Sequence, residues 1–108
     1  MTFCAQATLG FTNATRRNAV LADVESWIAG RPQWGDSTVE SATTRAGAPA
    51  VLLTIRFTTR VDQEDLLARV QAFATGVRTP VAGSWFRLHD CPHDESDLPC
   101  AVASEVTW

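Results

Sequence analysis

The chain is expected to be an α+β domain with the ferredoxin-like split βαβ layout (βαββαβ): a four-stranded antiparallel sheet, two helices on one face, and a C-terminal arm. Three observations lead there: an internal repeat, two helical stripes of matched phase, and an alternating apolar run in each half. Shifted by 46 residues, the sequence overlays itself, with Leu9, Phe11, Val20, Leu21, Val24, Trp27 and Gly30 falling on Ile55, Phe57, Leu66, Leu67, Val70, Phe73 and Gly76. Core and stop positions that recur at one spacing mark a single supersecondary unit used twice.

Each element follows from local pattern. Phe3, Ala5, Ala7, Leu9 and Phe11 alternate with Cys4, Gln6, Thr8 and Gly10, the period of a strand with one face buried. Asn13 or Thr15 can cap a helix over roughly Thr15–Ala29, whose Val20, Leu21, Val24, Trp27 and Ile28 form one apolar stripe. Gly30 and Pro32 stop it. Thr38 to Arg45 is β-branched and polar, Ala46-Gly47-Ala48-Pro49 punctuates, and Ala50 to Thr59 repeats the first strand with Val51, Leu53, Ile55 and Phe57 inward, which reads as a hairpin. Asp62, with Asp65 following, starts a second helix ending near Thr75, with Leu66, Leu67, Val70, Phe73 and Ala74 on the same stripe. Ser84 to Cys91 is the fourth strand. With Phe86 and Leu88 toward the helices, Trp85, Arg87 and His89 join Cys4, Gln6, Thr8, Leu52, Thr54 and Arg56 on the open face.

The folded unit is thus expected over residues 1–91, with 92–108 an acidic loop and a C-terminal arm or extra strand. In that arm Val102, Ser104, Val106 and Trp108 alternate with Ala, Ala, Glu and Thr. It either caps an edge of its own domain or adds to a neighbour. Because it lies outside the repeated core, its removal is expected to abolish assembly and leave the monomer folded.

Composition narrows the partners. The 108 residues are 45% hydrophobic, enough for one core without staples, and carry a net charge of −3. All nine basic residues are arginines, scattered singly except for Arg16-Arg17, so no basic stripe matches a phosphate backbone and nucleic acid is not an expected partner. The first ten residues lack the charge and apolar run of a signal peptide, and no stretch approaches the roughly 18 apolar residues of a membrane span. Cytoplasmic synthesis and no membrane association are expected. The absence of Lys and Tyr points to a GC-rich genome.

The densest reactive cluster runs from His89 to Cys100. The end of the fourth strand at Cys91 is expected beside Cys4, and Cys4, Cys91, His93 and Cys100 could together fill a tetrahedral zinc site, but the spacing matches no common knuckle. Thiols left unbridged come first, a Cys91–Cys100 disulfide second, and metal third. Neighbouring His and Asp side chains on a strand point to opposite faces and form no relay, so no catalytic, cofactor or metal residue is assigned. The open-face and arm residues Leu52, Arg56, Trp85, Arg87, Val102, Val106 and Trp108 are the expected protein interface, since large apolar groups outside a core are enriched at such surfaces.

Residues 1–91, with a first strand ending Leu9-Gly10-Phe11 and a helix Arg17-Asn18-Ala19-Val20-Leu21-Ala22-Asp23-Val24, resemble in style and element order small proteins encoded among virion structural and tail genes of phages of high-GC Gram-positive bacteria. The resemblance implies a non-enzymatic virion component, made in the host cytoplasm, that contacts copies of itself and other virion subunits. Two other readings remain open from the residues: a dimeric α+β-barrel enzyme enclosing a small molecule between two sheets, and a regulatory binding module.

Overall fold

The computed structural model describes residues 2–31, 37–57, 59–73, 80–91 and 101–108. The elements run β1 (Thr2–Gly10), α1 (Ala14–Ala29), β2 (Thr38–Thr43), β3 (Pro49–Phe57), α2 (Arg60–Phe73), β4 (Trp85–Cys91) and β5 (Ala101–Thr107). All strands pair antiparallel in one five-stranded sheet of order β2-β3-β1-β4-β5.

The expected four-stranded ferredoxin-like sheet is corrected by that fifth strand; the α+β class stands. Residues 101–107 lie along β4, with Phe86 opposite Val106 and Arg87 opposite Glu105. Past the strand, the Trp108 backbone N donates to Ser84 O at 3.1 Å and Gly83 N donates to Trp108 O at 2.9 Å. Without β5, the outer edge of β4 would present a row of unpaired backbone groups. Val106 and Trp108 also pack against the core. Removing residues 101–108 would therefore uncover both an edge and core side chains, so the arm is not a dispensable extension.

The repeat appears in space as an approximate two-fold relation. Helix α1 starts at Ala14 and α2 at Arg60, the same 46-residue offset. In the β1–β3 register, Ala5 faces Ile55 and Leu9 faces Val51, pairs that the repeat exchanges, while Ala7 faces its own equivalent Leu53 at the centre. Between the helices, Arg69 donates to Asp23, again the same position in the two copies.

Equivalent residues also cap the helices. Asn13 Oδ1 accepts from Arg16 N at 2.9 Å. At the matching place, Thr59 Oγ1 accepts from Asp62 N at 3.2 Å while its hydroxyl donates to the Asp62 carboxylate at 3.0 Å. Helix α2 therefore begins two residues before Asp62: the hydroxyl of Thr59 satisfies a first-turn N–H that Asp62, already inside the helix, could not.

One core lies between the helices and one sheet face. Ala5, Ala7, Leu9, Val51, Leu53, Ile55, Phe57, Phe86 and Leu88 from the strands meet Val20, Val24, Trp27, Ile28, Leu66 and Val70 from the helices. The Phe57 and Trp27 rings meet in a T-shape, with centroids 6.1 Å apart and planes at 83°. The Arg31 guanidinium covers the Trp27 ring at 4.1 Å and donates to Trp27 O.

Gly10 closes the end of β1. Its N–H donates to the buried Ser84 hydroxyl at 2.9 Å and its carbonyl accepts from Val81 N at 2.8 Å. A β-carbon here would stand 2.9 Å from Val81 Cγ2 and 3.2 Å from Thr44 Cγ2. Gly10→Ala is expected to destabilise by about 1–3 kcal/mol, the usual cost of overpacking, read as a lower urea midpoint with unchanged slope. An unchanged midpoint would show that the two turns yield freely.

Candidate protein–protein interaction surface

The face opposite the helices is built in rows by strand register. Leu52, Thr8 and Trp85 stand side by side across β3, β1 and β4, with Glu40 and Thr107 beyond them. The next row is Thr38, Thr54, Gln6, Arg87 and Glu105, and the third holds Arg56, Cys4 and His89. Alternation places them there: Phe86 and Leu88 are fully buried toward the helices, so Trp85, Arg87 and His89 point away.

This face is half-buried rather than sealed. Leu52, Thr54, Arg56, Thr8, Cys4, Trp85, Arg87 and His89 are all intermediate in exposure, and Gln6 is exposed. Arg87 carries the electrostatics: its guanidinium lies 4.5 Å from the Trp85 ring centroid, and its Nε donates to Glu105 at 2.7 Å. That pair is well solvated, so it positions Trp85 more than it stabilises the fold. The Nε2 of His89 is buried without a hydrogen-bond partner among the described residues.

The structure separates the sequence-predicted interface residues into three groups. Leu52, Arg56, Trp85 and Arg87 share the open face. Val106 and Trp108 pack instead on this chain's own core. Val102 is 52% exposed at the β5 edge, opposite His89, where a register shift after Leu88 interrupts the ladder.

The cysteine loop yields less. Thr2 faces Cys91 and Cys4 faces His89, so Cys4 is a diagonal neighbour of Cys91 across the strands. Cys100 and His93 lie outside the described residues, and with them the Cys91–Cys100 disulfide and the four-ligand zinc arrangement. Among the described residues, no three His, Cys, Asp or Glu side chains converge.

Two polar anchors on the helix side went unrecognised in the sequence. Gln63 is fully buried on the α2 stripe, and its Nε2 donates to Cys4 O at 3.2 Å and His89 O at 3.0 Å, tying helix to two strands. Its repeat equivalent Arg17 likewise donates, from Nη1, to Ala42 O on β2. A polar residue at the same point of both stripes was the available signal. Nearby, Arg60 bonds Asp90 at 2.8 Å and lies 5.0 Å from the Phe3 ring centroid. The hydrogen bond to Asp90, aided by the charges of Asp90 and Glu64 against a desolvation cost, raises the Arg60 pKa above its ordinary value. The stability from a raised base pKa is fully present below the unfolded value and lost as pH rises through the folded one, so the raised Arg60 value adds no pH dependence near neutrality.

Among the described residues no helix is long and apolar enough to cross a membrane. No protein-family model, curated protein or solved structure matches the chain. What the fold and the surface define is a small α+β domain with one sealed sheet face and one open one.

Proposed function

We propose that the chain is a non-enzymatic assembly subunit that associates through its open sheet face, with copies of itself as the first partner. The observation carrying this reading is the contiguous row Leu52–Thr8–Trp85 on a face that neither α1 nor α2 covers among the described residues. Apolar area left in water costs about 25 cal/mol per Å², which association recovers. Trp85 suits a contact: it is a large rigid aromatic held by Arg87. A phage particle, in its tail or capsid, is the setting that the resemblance in sequence style supports.

Light scattering after size exclusion, across a concentration series, tests the association. The wild type is expected to self-associate, and Leu52→Arg, which replaces the aliphatic member of the row by a charge, to weaken association at least about tenfold with unchanged circular dichroism. A monodisperse monomer at millimolar concentration overturns the reading. Finding the gene product in purified particles supports the virion setting, and its absence there removes it.

A further inference from the structure

At one end of the open face, a cleft of about 460 Å³ is bounded by the Thr44–Ala48 turn, the Val81–Ser84 turn, Thr8 and Trp85. Both walls are preformed. The first turn is closed by Thr44 N to Ala48 O at 2.9 Å and Ala48 N to Thr44 Oγ1 at 3.0 Å, and passes through Gly47 at φ +86°. The second is closed by Ser84 N to Val81 O at 3.1 Å, with Gly83 at φ +91° as a tight turn there requires, and is tied back to Trp108.

Arg45 lies on the rim. Among the described arginines it is the exception. Arg16, Arg17, Arg31, Arg60, Arg69 and Arg87 each bond a partner, and Arg56 is engaged as well, whereas Arg45 makes no hydrogen bond or ion pair among the described residues. A cation with no partner, over a cleft with an indole wall and small apolar side chains, has the make-up of a small-molecule site: mostly apolar, with few polar groups to fix orientation.

We propose that this cleft binds a small planar aromatic carboxylate, its ring against Trp85 and Val81 and its carboxylate at Arg45. The guanidinium fork matches a carboxylate in two parallel hydrogen bonds. The Thr44 hydroxyl accepts from Ala48 N, so its proton is available to donate to the same anion. The volume falls in the range of small-ligand sites and suits a one- or two-ring acid. The cleft is formed within one chain but shares Thr8 and Trp85 with the proposed association surface, so the titration is made at a concentration where light scattering shows monomer, and each proposal can then fail without the other.

The test is titration of the full chain with 2-naphthoate, and in parallel with neutral 2-naphthamide, followed by backbone amide shifts in NMR. Saturable shifts confined to Thr8, Thr44–Ala48 and Val81–Trp85 are expected for the acid, with the amide at least about tenfold weaker. Arg45→Gln, at an exposed turn position that bears no core contact, should weaken the acid by the same factor and leave the amide unchanged. Three outcomes overturn the proposal: no shifts at millimolar acid, shifts centred elsewhere on the molecule, or equal binding of acid and amide by the wild type.

Discussion

Gln63→Glu is expected to cost about 3–5 kcal/mol at neutral pH, the penalty of a buried charge without a partner. The side chain is fully buried, and its Nε2 serves two carbonyl oxygens, Cys4 O on β1 and His89 O on β4. A carboxylate there would meet acceptors where the wild type offers donors. Burial and those acceptors disfavour the ionised form, so the introduced acid has a folded pKa above its unfolded value of about 4.3. The sign follows. The penalty is fully present above the folded pKa and is relieved as pH falls through it, because the protonated acid is neutral and can donate one hydrogen bond. Urea unfolding at pH 7.5 and 5 should show the variant recovering part of its loss on acidification relative to the wild type. Gln63→Met, which removes the whole amide and leaves the Cys4 and His89 carbonyls without this donor, should cost about 1–3 kcal/mol with no such pH dependence. If the Glu variant matches the wild type at pH 7.5, Gln63 is not the tie between α2 and the sheet.

Phe57→Ala should cost about 3–5 kcal/mol, through lost burial and the cavity left behind. Phe57 is 1% exposed at the end of β3, and its ring lies nearly perpendicular to that of Trp27 from α1. Phe11, its repeat equivalent, is equally buried, so the two together hold down the ends of the central strands. In a domain with a total stability of about 5–15 kcal/mol, that loss leaves little margin. A fall in melting temperature of roughly 12–20 °C is expected, with a change in Trp27 emission on loss of the ring contact. Phe57→Leu keeps most of the volume and should cost less than about 1.5 kcal/mol. Equal losses for the two variants would mean that the site collapses without a cavity and that volume is not what Phe57 supplies.

Much of the molecule was legible in the residues because it is local or repeated. The period-2 run from Phe3 to Phe11 and the stripes at Val20–Ile28 and Leu66–Val70 state which side of each element is apolar, and the one offset between them states that the halves share a core. From that, the open-face placement of Leu52, Arg56, Trp85 and Arg87 followed by alternation alone. The cap at Thr59 was equally local but overlooked in favour of Asp62. Thr59 could have been found as the repeat of Asn13.

Sequence by itself determined the α+β class, the inward side of each repeated element and the side of the sheet left uncovered, since these depend on side-chain period and on nothing distant. The tertiary structure alone decided where residues 101–107 go. Their alternation of Val102, Ser104 and Val106 with Ala101, Ala103, Glu105 and Thr107 has no counterpart in the repeat, and a strand gains its hydrogen bonds only from the neighbour it finds, here β4. The same holds for Gln63, whose two carbonyl partners are 59 and 26 residues away in the chain, and for the cleft, whose walls are turns from opposite halves. Contacts of that range are set by how the sheet registers, and registration is a property of the folded whole.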